Sequence, residues 1–377
     1  MTSKERILCA LRGGDVDYVP FIISWNENQR LHERLSWRSE RERLLFASDM
    51  GWDTFARIGS PVTPAKEVTV RREIVDSGGK KVAVQVWETP AAVLREELNF
   101  TDDWDRSELG GEYIWLASDF RTTRYVEFPF KSEGDLDALE YIFPIDNPFD
   151  MEQMAESYKR QRKIADEFDY PLFAQYDAGM DWLFWLYPLE EAVYRIIDNP
   201  AHIGRILDQI NGAKLRRLEL LLALGVDGVI RRGWYECTDI WNPGILRERA
   251  WPTIKREIDM THAAGKPYIY LIDTGAKAIA GDLAAMDIDC IHGLDPVQGD
   301  MTVKDAHAAF PGKTLWGGLS GPKHFGADSA DAARCAVEEA ISVYGRKRLI
   351  LGMAASYRYY YPWENYLAAE SAWRRLR

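Results

Sequence analysis

Short apolar runs that end in polar or small residues recur along the chain and predict the strands of a parallel sheet. From residue 171 onward there are six such runs: PLFAQYDAG, VDGVIRRG, PYIYLIDTG, DIDCIHGLDP, TLWGGLSG and RLILGMA. Two earlier runs, VPFIISW at 19–25 and WDTFARI at 52–58, have the same character. Amphipathic segments of helical length lie between them, so the pattern predicts eight strands that alternate with helices.

An opening helix over residues 2–12 is indicated by a capping box, in which Thr2 is followed three residues later by Glu5. Further helices are predicted at 40–49, 201–224, 246–264, 276–285, 329–344 and 363–376. Eight βα units are the number in a closed (β/α)8 TIM-like barrel, whose active site lies at the carboxyl ends of the strands. An open doubly wound sheet is the alternative.

Residues 65–130 differ from the rest of the chain in their pattern of hydrophobic and polar positions. Short alternating runs such as VTVRREIVDSGGKKVAVQVWET, with GG at a turn, predict an antiparallel β-hairpin insertion after the second barrel strand. No Pro- or Ser-rich linker separates this segment from its neighbours. We therefore expect residues 1–377 to form a single domain, with the hairpins packed on the barrel.

Charge and composition exclude several classes of partner. The 377 residues contain 47 Lys and Arg against 59 Asp and Glu, a formal net charge of −12, with no basic block for nucleic acid or an anionic membrane surface. Four scattered cysteines, a charged amphipathic start and the lack of any long apolar run predict a soluble protein of the reducing cytoplasm. The 14 Trp and 18 Tyr residues suit an aromatic-lined cleft.

Several longer strings carry a resemblance to a known family. They are SKERILCALRGGDVDYVP, GVDGVI followed by NPGILRERAWPTIKREIDMTHAAGKP, DPVQGDMTVKDAHAAFPGKTLWGGLSG, and PWENYLAAE. In these strings the chain resembles the uroporphyrinogen decarboxylase-like superfamily, which also holds corrinoid-linked and coenzyme M methyltransferases. The resemblance implies a barrel, a small-molecule substrate, and a homodimer or a corrinoid-binding partner protein as options.

The chain departs from the active-site motifs of both best-known branches. Where the decarboxylases carry RQAGRY, this chain reads SWNENQRLHERL, with Arg30 as the one counterpart, and their late histidine falls near Met353. Where the zinc methyltransferases carry HxCG, it reads Ile272-Asp273-Thr274-Gly275, and their later cysteine falls near Ala355. Neither the guanidinium cradle nor the thiolate zinc site is carried over, so uroporphyrinogen is not the expected substrate.

Carboxylates at the predicted strand ends are the candidate catalytic groups. Asp273, Asp177 and Glu236 each follow an apolar run, and each can act as a general acid, although helix capping or loop packing explains the same placement. A divalent ion such as zinc is an option, with Glu236, Cys237, Asp273 and His292 as its candidate ligands.

Cations and aromatic residues near the same ends are the candidate substrate-binding groups. They are Arg231, Arg232, Trp182, Trp234, Tyr357 and Arg358. The arginines can hold a carboxylate or phosphate, or pair with neighbouring acids instead, and the rings can stack on a planar ligand or pack within loops.

Three functions follow from these features and the resemblance. The first is transfer of a methyl or other one-carbon group from a small substrate, aromatic ones included, to a corrinoid protein or a thiol. The second is decarboxylation of a small carboxylic acid, and the third is a non-catalytic barrel that binds a ligand.

Overall fold

Two compact units make up the fold in the computed structural model, which describes residues 1–23, 37–100, 124–354 and 360–377. The first unit comprises residues 1–59, 155–176 and 221–377, and the second comprises residues 60–154 and 177–220.

An eight-stranded parallel sheet forms the centre of the first unit. Its strands are β1 (Phe21–Ile22), β2 (Ala56–Gly59), β7 (Leu172–Asp177), β8 (Gly228–Arg232), β9 (Tyr268–Leu271), β10 (Cys290–His292), β11 (Thr314–Leu319) and β12 (Leu349–Met353). They are hydrogen-bonded in the order β1-β12-β11-β10-β9-β8-β7-β2. All eight predicted strands are present in chain order, so the TIM-like α/β class is confirmed.

Helices alternate with these strands. In the described part of the chain the α-helices are α1 (Ser3–Leu11), α2 (Glu40–Met50), α3 (Leu139–Ile142), α4 (Pro148–Glu167), α5 (Leu183–Leu186), α6 (Leu189–Asp198), α7 (Pro200–Leu224), α8 (Pro243–Arg249), α9 (Trp251–Ala263), α10 (Ala280–Ala285), α11 (Val303–Ala309), α12 (Ala330–Tyr344) and α13 (Trp363–Leu376). Where the sequence predicts one helix over 246–264, the structure has two, α8 and α9, which are separated at Ala250. None of the helices described is long and apolar enough to cross a membrane.

The predicted capping box at the start of α1 is present. The Glu5 amide donates to the Thr2 hydroxyl at 3.2 Å, and the Thr2 amide donates to the Glu5 carboxylate at 2.9 Å. Ile7, Ala10 and Leu11 on the buried face of this helix belong to the same apolar cluster as the sheet.

One residue from each strand region of the sheet enters that apolar cluster, which we call the interior floor. Its sheet members are Ile22, Phe55, Phe173, Ile230, Ile269, Cys290, Trp316 and Ile350. Phe55 and Phe173 lie 5.2 and 6.4 Å from Trp316 between ring centroids. Because side chains alternate across a strand, this set defines the interior face of the sheet.

An antiparallel four-stranded sheet lies in the second unit. Its strands are β3 (Thr69–Ser77), β4 (Lys80–Glu88), β5 (Val93–Asn99) and β6 (Tyr125–Glu127), paired in that order. The predicted hairpins are therefore present within 65–130, of which residues 101–123 lie outside the described residues. The assignment of residues 1–377 to a single domain stays a prediction.

Candidate active site

Polar side chains occupy the level directly above the interior floor. Two residues beyond Phe55, Phe173, Ile230 and Cys290 come Arg57, Gln175, Arg232 and His292. Two residues along a strand return the side chain to the same face, one level nearer the carboxyl end. We call these four residues the interior polar ring; all of them belong to the first unit.

The strand register matches Arg232 with His292 through β9, whereas Arg57 pairs with Phe173, Gln175 with Gly59 and His292 with Trp316. Arg232 and His292 both pair with Leu271, which stands two residues beyond Ile269 on β9. Two residues beyond Trp316 on β11 and Ile350 on β12 come Gly318 and Gly352, which pair with each other. A Cβ atom at Gly352 would lie 2.6 Å from Nε1 of Trp316, so glycine makes room for the indole of the floor.

Members of the ring differ in accessibility and partners. Arg57, Gln175 and Arg232 are half-buried, and His292 is buried. A guanidinium nitrogen of Arg57 lies 3.5 Å from Glu40, and the Arg232 guanidinium lies 4.8 Å from the ring centroid of Trp234. Trp234 is itself half-buried, which suits its predicted place beside a ligand.

His292 is held in one tautomer. Its Nδ1 lies 2.9 Å from the carbonyl oxygen of Trp316, which can only accept, so Nδ1 carries the proton and Nε2 keeps a lone pair. The imidazole also stacks on the Trp316 indole, at 4.3 Å between ring centroids. Burial lowers the pKa of His292 to about 4, so the ring is neutral at pH 7 and Nε2 can accept a hydrogen bond.

Asp273 continues the interior face of β9 beyond Leu271. Its backbone oxygen accepts from the Asp295 amide at 2.9 Å. A Cβ atom at Gly293, whose φ is +96°, would lie 2.6 Å from Oδ1 of Asp273, so the carboxylate rests against a glycine backbone. The 3-10 helix that follows begins at Lys277 with Ala276 as its N-cap. Asp273 therefore does not cap it, and the half-buried carboxylate keeps its candidate role as an acid.

Arg231 and Glu236 form a buried ion pair, with 2.7 Å between Nη2 and Oε1. Neither side chain has accessible surface, and Tyr270 donates to the other Glu236 oxygen at 2.9 Å. In the structure Arg231 pairs with a neighbouring acid, which is the alternative interpretation of this arginine. The substrate-binding role of Arg231 and the catalytic role of Glu236 stay predictions.

A second buried acid shares Arg231. Nε of Arg231 lies 3.3 Å from Glu257 on α9, whose carboxylate accepts from Tyr268 at 2.6 Å. Burial raises the pKa of Glu257 to about 7, against the opposing effect of Arg231. Arg231 and Tyr270 pair in the strand register, so both project from the face opposite to Arg232.

The candidate zinc ligands are not gathered into one cluster. Across the described ranges, no three His, Cys, Asp or Glu side chains are grouped so that they could hold a metal ion. Glu236 is committed to Arg231, His292 contacts Trp316 through Nδ1, and Cys237 is buried in the loop after β8. The described residues therefore do not fit a zinc site built from Glu236, Cys237, Asp273 and His292.

Asp177 ends β7 and belongs to the second unit. Its Oδ1 lies 3.0 Å from the ammonium of Lys214 on α7, which also donates to the carbonyl oxygen of Ser60 at 2.6 Å. The same ammonium lies 5.3 Å from the ring centroid of Trp182. The Gly179 amide, at the start of the next helical turn, donates to Asn211 at 2.8 Å. Lys214 was absent from the sequence prediction because it lies 37 residues from its partner.

Two candidate substrate-binding residues, Tyr357 and Arg358, lie outside the described residues. Arg57 and Gln175, in contrast, are well placed but were missed, because they lie inside predicted strands rather than at their ends. Each of them follows a phenylalanine by two positions, Phe55 and Phe173 respectively, but the same runs contain other polar residues, so the sequence alone does not single them out.

No protein-family model and no curated protein sequence matches this chain. Among solved structures, a methyltransferase from Methanosarcina mazei is similar over 100% of this chain and 99% of its own, with a TM-score of 0.58 and 15% identity. A B12-independent methionine synthase from Shewanella sp. W3-18-1 is similar over 59% of this chain and 65% of its own (TM-score 0.41, 14% identity). A 3-keto-D-glucoside 4-epimerase from E. coli is similar over 64% of this chain and 94% of its own (TM-score 0.38, 12% identity). At this identity the first similarity shows a shared fold, and the superfamily resemblance stays a prediction.

Proposed function

We propose that this chain is an enzyme that transfers a methyl group from a small methylated substrate, aromatic ones included, to a corrinoid carried by a partner protein or to a thiol. The observation that carries the proposal is the interior polar ring. Its residues lie near the carboxyl ends of the parallel strands, and enzymes with this kind of fold have their active sites at that end. The fold shared with the methyltransferase from Methanosarcina mazei, along the whole of both chains, adds support.

Each group near the ring has a role in this reaction. The bond between the methyl carbon and its heteroatom breaks, the methyl group passes to the acceptor, and the heteroatom leaves with the electron pair. Arg232 and Arg57 offset the charge that develops on the leaving heteroatom, and Asp273 supplies the proton that neutralises it. Neutral His292 accepts a hydrogen bond at Nε2 and so orients the substrate.

The test is methyl transfer from a panel of methylated arenes and amines, with free cob(I)alamin or a thiol as acceptor. We expect transfer by the wild-type chain and a loss of about 10²-fold or more in kcat for Asp273→Asn, the usual contribution of a general acid. Asp300→Asn, at an acid that binds backbone amides of the 276–277 turn, is the matched control and keeps kcat. Transfer that is unaffected by Asp273→Asn contradicts the assigned acid.

Decarboxylation of a small acid is the second candidate, and the two arginines of the ring favour it because guanidinium groups can hold spectator carboxylates. Release of carbon dioxide without any methyl acceptor distinguishes it from methyl transfer. Tight binding of a small molecule without turnover of either kind identifies a non-catalytic barrel.

A further inference from the structure

His292 on β10 can accept a hydrogen bond at Nε2 and cannot donate one. Its Nδ1 donates to the carbonyl oxygen of Trp316 at 2.9 Å, and the Gly293 amide donates to the same oxygen at 3.1 Å. Because a carbonyl oxygen only accepts, this contact fixes the proton on Nδ1 and the lone pair on Nε2. The burial that keeps the imidazole neutral at pH 7 keeps that lone pair available.

Nε2 of His292 is within reach of a ligand. His292 keeps 5% of its surface accessible. Within the described ranges no donor lies at hydrogen-bond distance from Nε2, and this nitrogen is not one of the fully enclosed polar atoms that lack a partner there. A polar atom with neither a partner nor full enclosure is open to a water molecule or a ligand group.

The side chains that flank His292 in the sheet are apolar or aromatic. Leu271 pairs with it on β9, and Trp316 pairs with it on β11. The Trp316 indole covers one face of the imidazole, with 4.3 Å between ring centroids and 19° between the ring planes. An acceptor in such surroundings discriminates between ligands, because a group that fails to donate leaves a largely buried nitrogen unpaired.

We propose that the substrate carries a hydroxyl or N–H group, distinct from the heteroatom that bears the methyl group, and that this group donates to Nε2 of His292. This inference rests on the proposed function and specifies its substrate class. An ether oxygen at the same place would turn a lone pair toward the lone pair of Nε2. Replacing the donated hydrogen by a methyl group therefore removes an attraction and adds a repulsion.

The experiment measures the binding of ligand pairs that differ by a single donor. The probes are the ortho, meta and para isomers of methoxyphenol, each with the matching dimethoxybenzene, and para-methoxyaniline with its N,N-dimethyl derivative. Calorimetric titration gives the affinity ratio of each pair on the wild-type chain and on His292→Phe, which keeps a ring to stack on Trp316. We expect at least one donor to bind the wild type about tenfold or more tightly than its methylated partner, and His292→Phe to abolish that ratio.

The matched control is His307→Phe. His307 is an exposed histidine on α11 whose ring contacts Tyr344, so this variant should keep the wild-type ratio. His292→Gln can place an amide oxygen near the position of Nε2 and should restore part of the ratio. If His292→Phe does not fold, the smaller His292→Leu provides the same comparison.

Three results would each overturn the inference. They are equal binding of donor and methylated partner by the wild type, a preference that survives in His292→Phe, and binding by none of the donors in the panel.

The proposed function fails on a different result. A His292-dependent preference for donors without any methyl transfer would contradict the proposed function and keep the donor site. Methyl transfer that is as fast from the dimethoxybenzenes as from the methoxyphenols would keep the proposed function and contradict the inference.

Discussion

At the scale of single residues, the burial of His292 is the most informative feature of the site. The imidazole stacks on the Trp316 indole, and its Nδ1 donates to the backbone carbonyl oxygen of Trp316. A neutral imidazole with a defined lone pair is useful for orienting a substrate, and the same burial makes the protonated form costly in the folded chain.

This cost predicts a pH dependence of stability. Because the folded pKa of His292, about 4, lies below the ordinary value near 6.5, the neutral imidazole contributes stability that is complete above pH 6.5 and is lost as pH falls toward 4. The contribution is on the order of 3 kcal/mol. We expect the difference in free energy of unfolding between wild type and His292→Gln, measured by urea denaturation, to shrink between pH 7 and pH 4.5. Parallel curves over that interval would show that the imidazole does not titrate as assigned.

The adjacent residues Arg231 and Arg232 on β8 project from opposite faces of the sheet. Arg231 is buried between Glu236 and Glu257, whereas Arg232 stands on the interior face. The sequence analysis named both arginines as candidate substrate-binding residues, and nothing in the sequence distinguished one from the other. The two-residue repeat of a strand separates them once the interior face is known, and that face is set by packing with seven other strands.

At the scale of elements, the pair of Arg231 and Glu236 ties the loop after β8 to the strand itself. A further hydrogen bond runs from Arg231 to the carbonyl oxygen of Arg232, and Tyr270 joins the pair from β9. These contacts restrain the segment that carries both Arg232 and Trp234, so we regard Arg231 and Glu236 as positioning residues.

Glu236→Gln should destabilise the fold by about 3 kcal/mol, because it leaves a buried guanidinium with less compensating charge. The same substitution at Glu338, whose partner Arg334 lies on the surface of α12, should change the free energy of unfolding by less than about 1 kcal/mol. Chemical denaturation of both variants provides the comparison. Similar losses in both would mean that the buried pair contributes no more than an exposed one.

At the scale of the whole molecule, the ends of the chain meet within the first unit. Trp373 of α13 stacks on Phe21 of β1 at 5.2 Å between ring centroids, and its indole N–H donates to the carbonyl oxygen of Val19 at 2.7 Å. The last helix thus covers the strand at one edge of the parallel sheet.

Trp373→Ala should cost about 3–5 kcal/mol of unfolding free energy, because it leaves a large cavity at a fully buried position and an unsatisfied carbonyl. Leu376→Ala, on the same helix at a side chain that is 37% exposed, is the control and should cost well under 1 kcal/mol. Thermal and urea unfolding of the two variants measure the difference. Equal stability of both would refute the view that α13 stabilises the edge strand.

The sequence by itself determined the eight strands and their order, most of the helices between them, the capping box at Thr2 and the antiparallel hairpins, although it did not predict α4 (Pro148–Glu167) or α11 (Val303–Ala309). These are local patterns, set by periodicity and propensity within about twenty residues. Only the tertiary structure decided which polar residues face the interior. The choice of Arg232 over Arg231, the place of Arg57 and Gln175, and the pairing of Asp177 with Lys214 depend on contacts between residues that are distant in the chain. Such contacts form only when the packed core selects one face of each strand, and no local pattern encodes that selection.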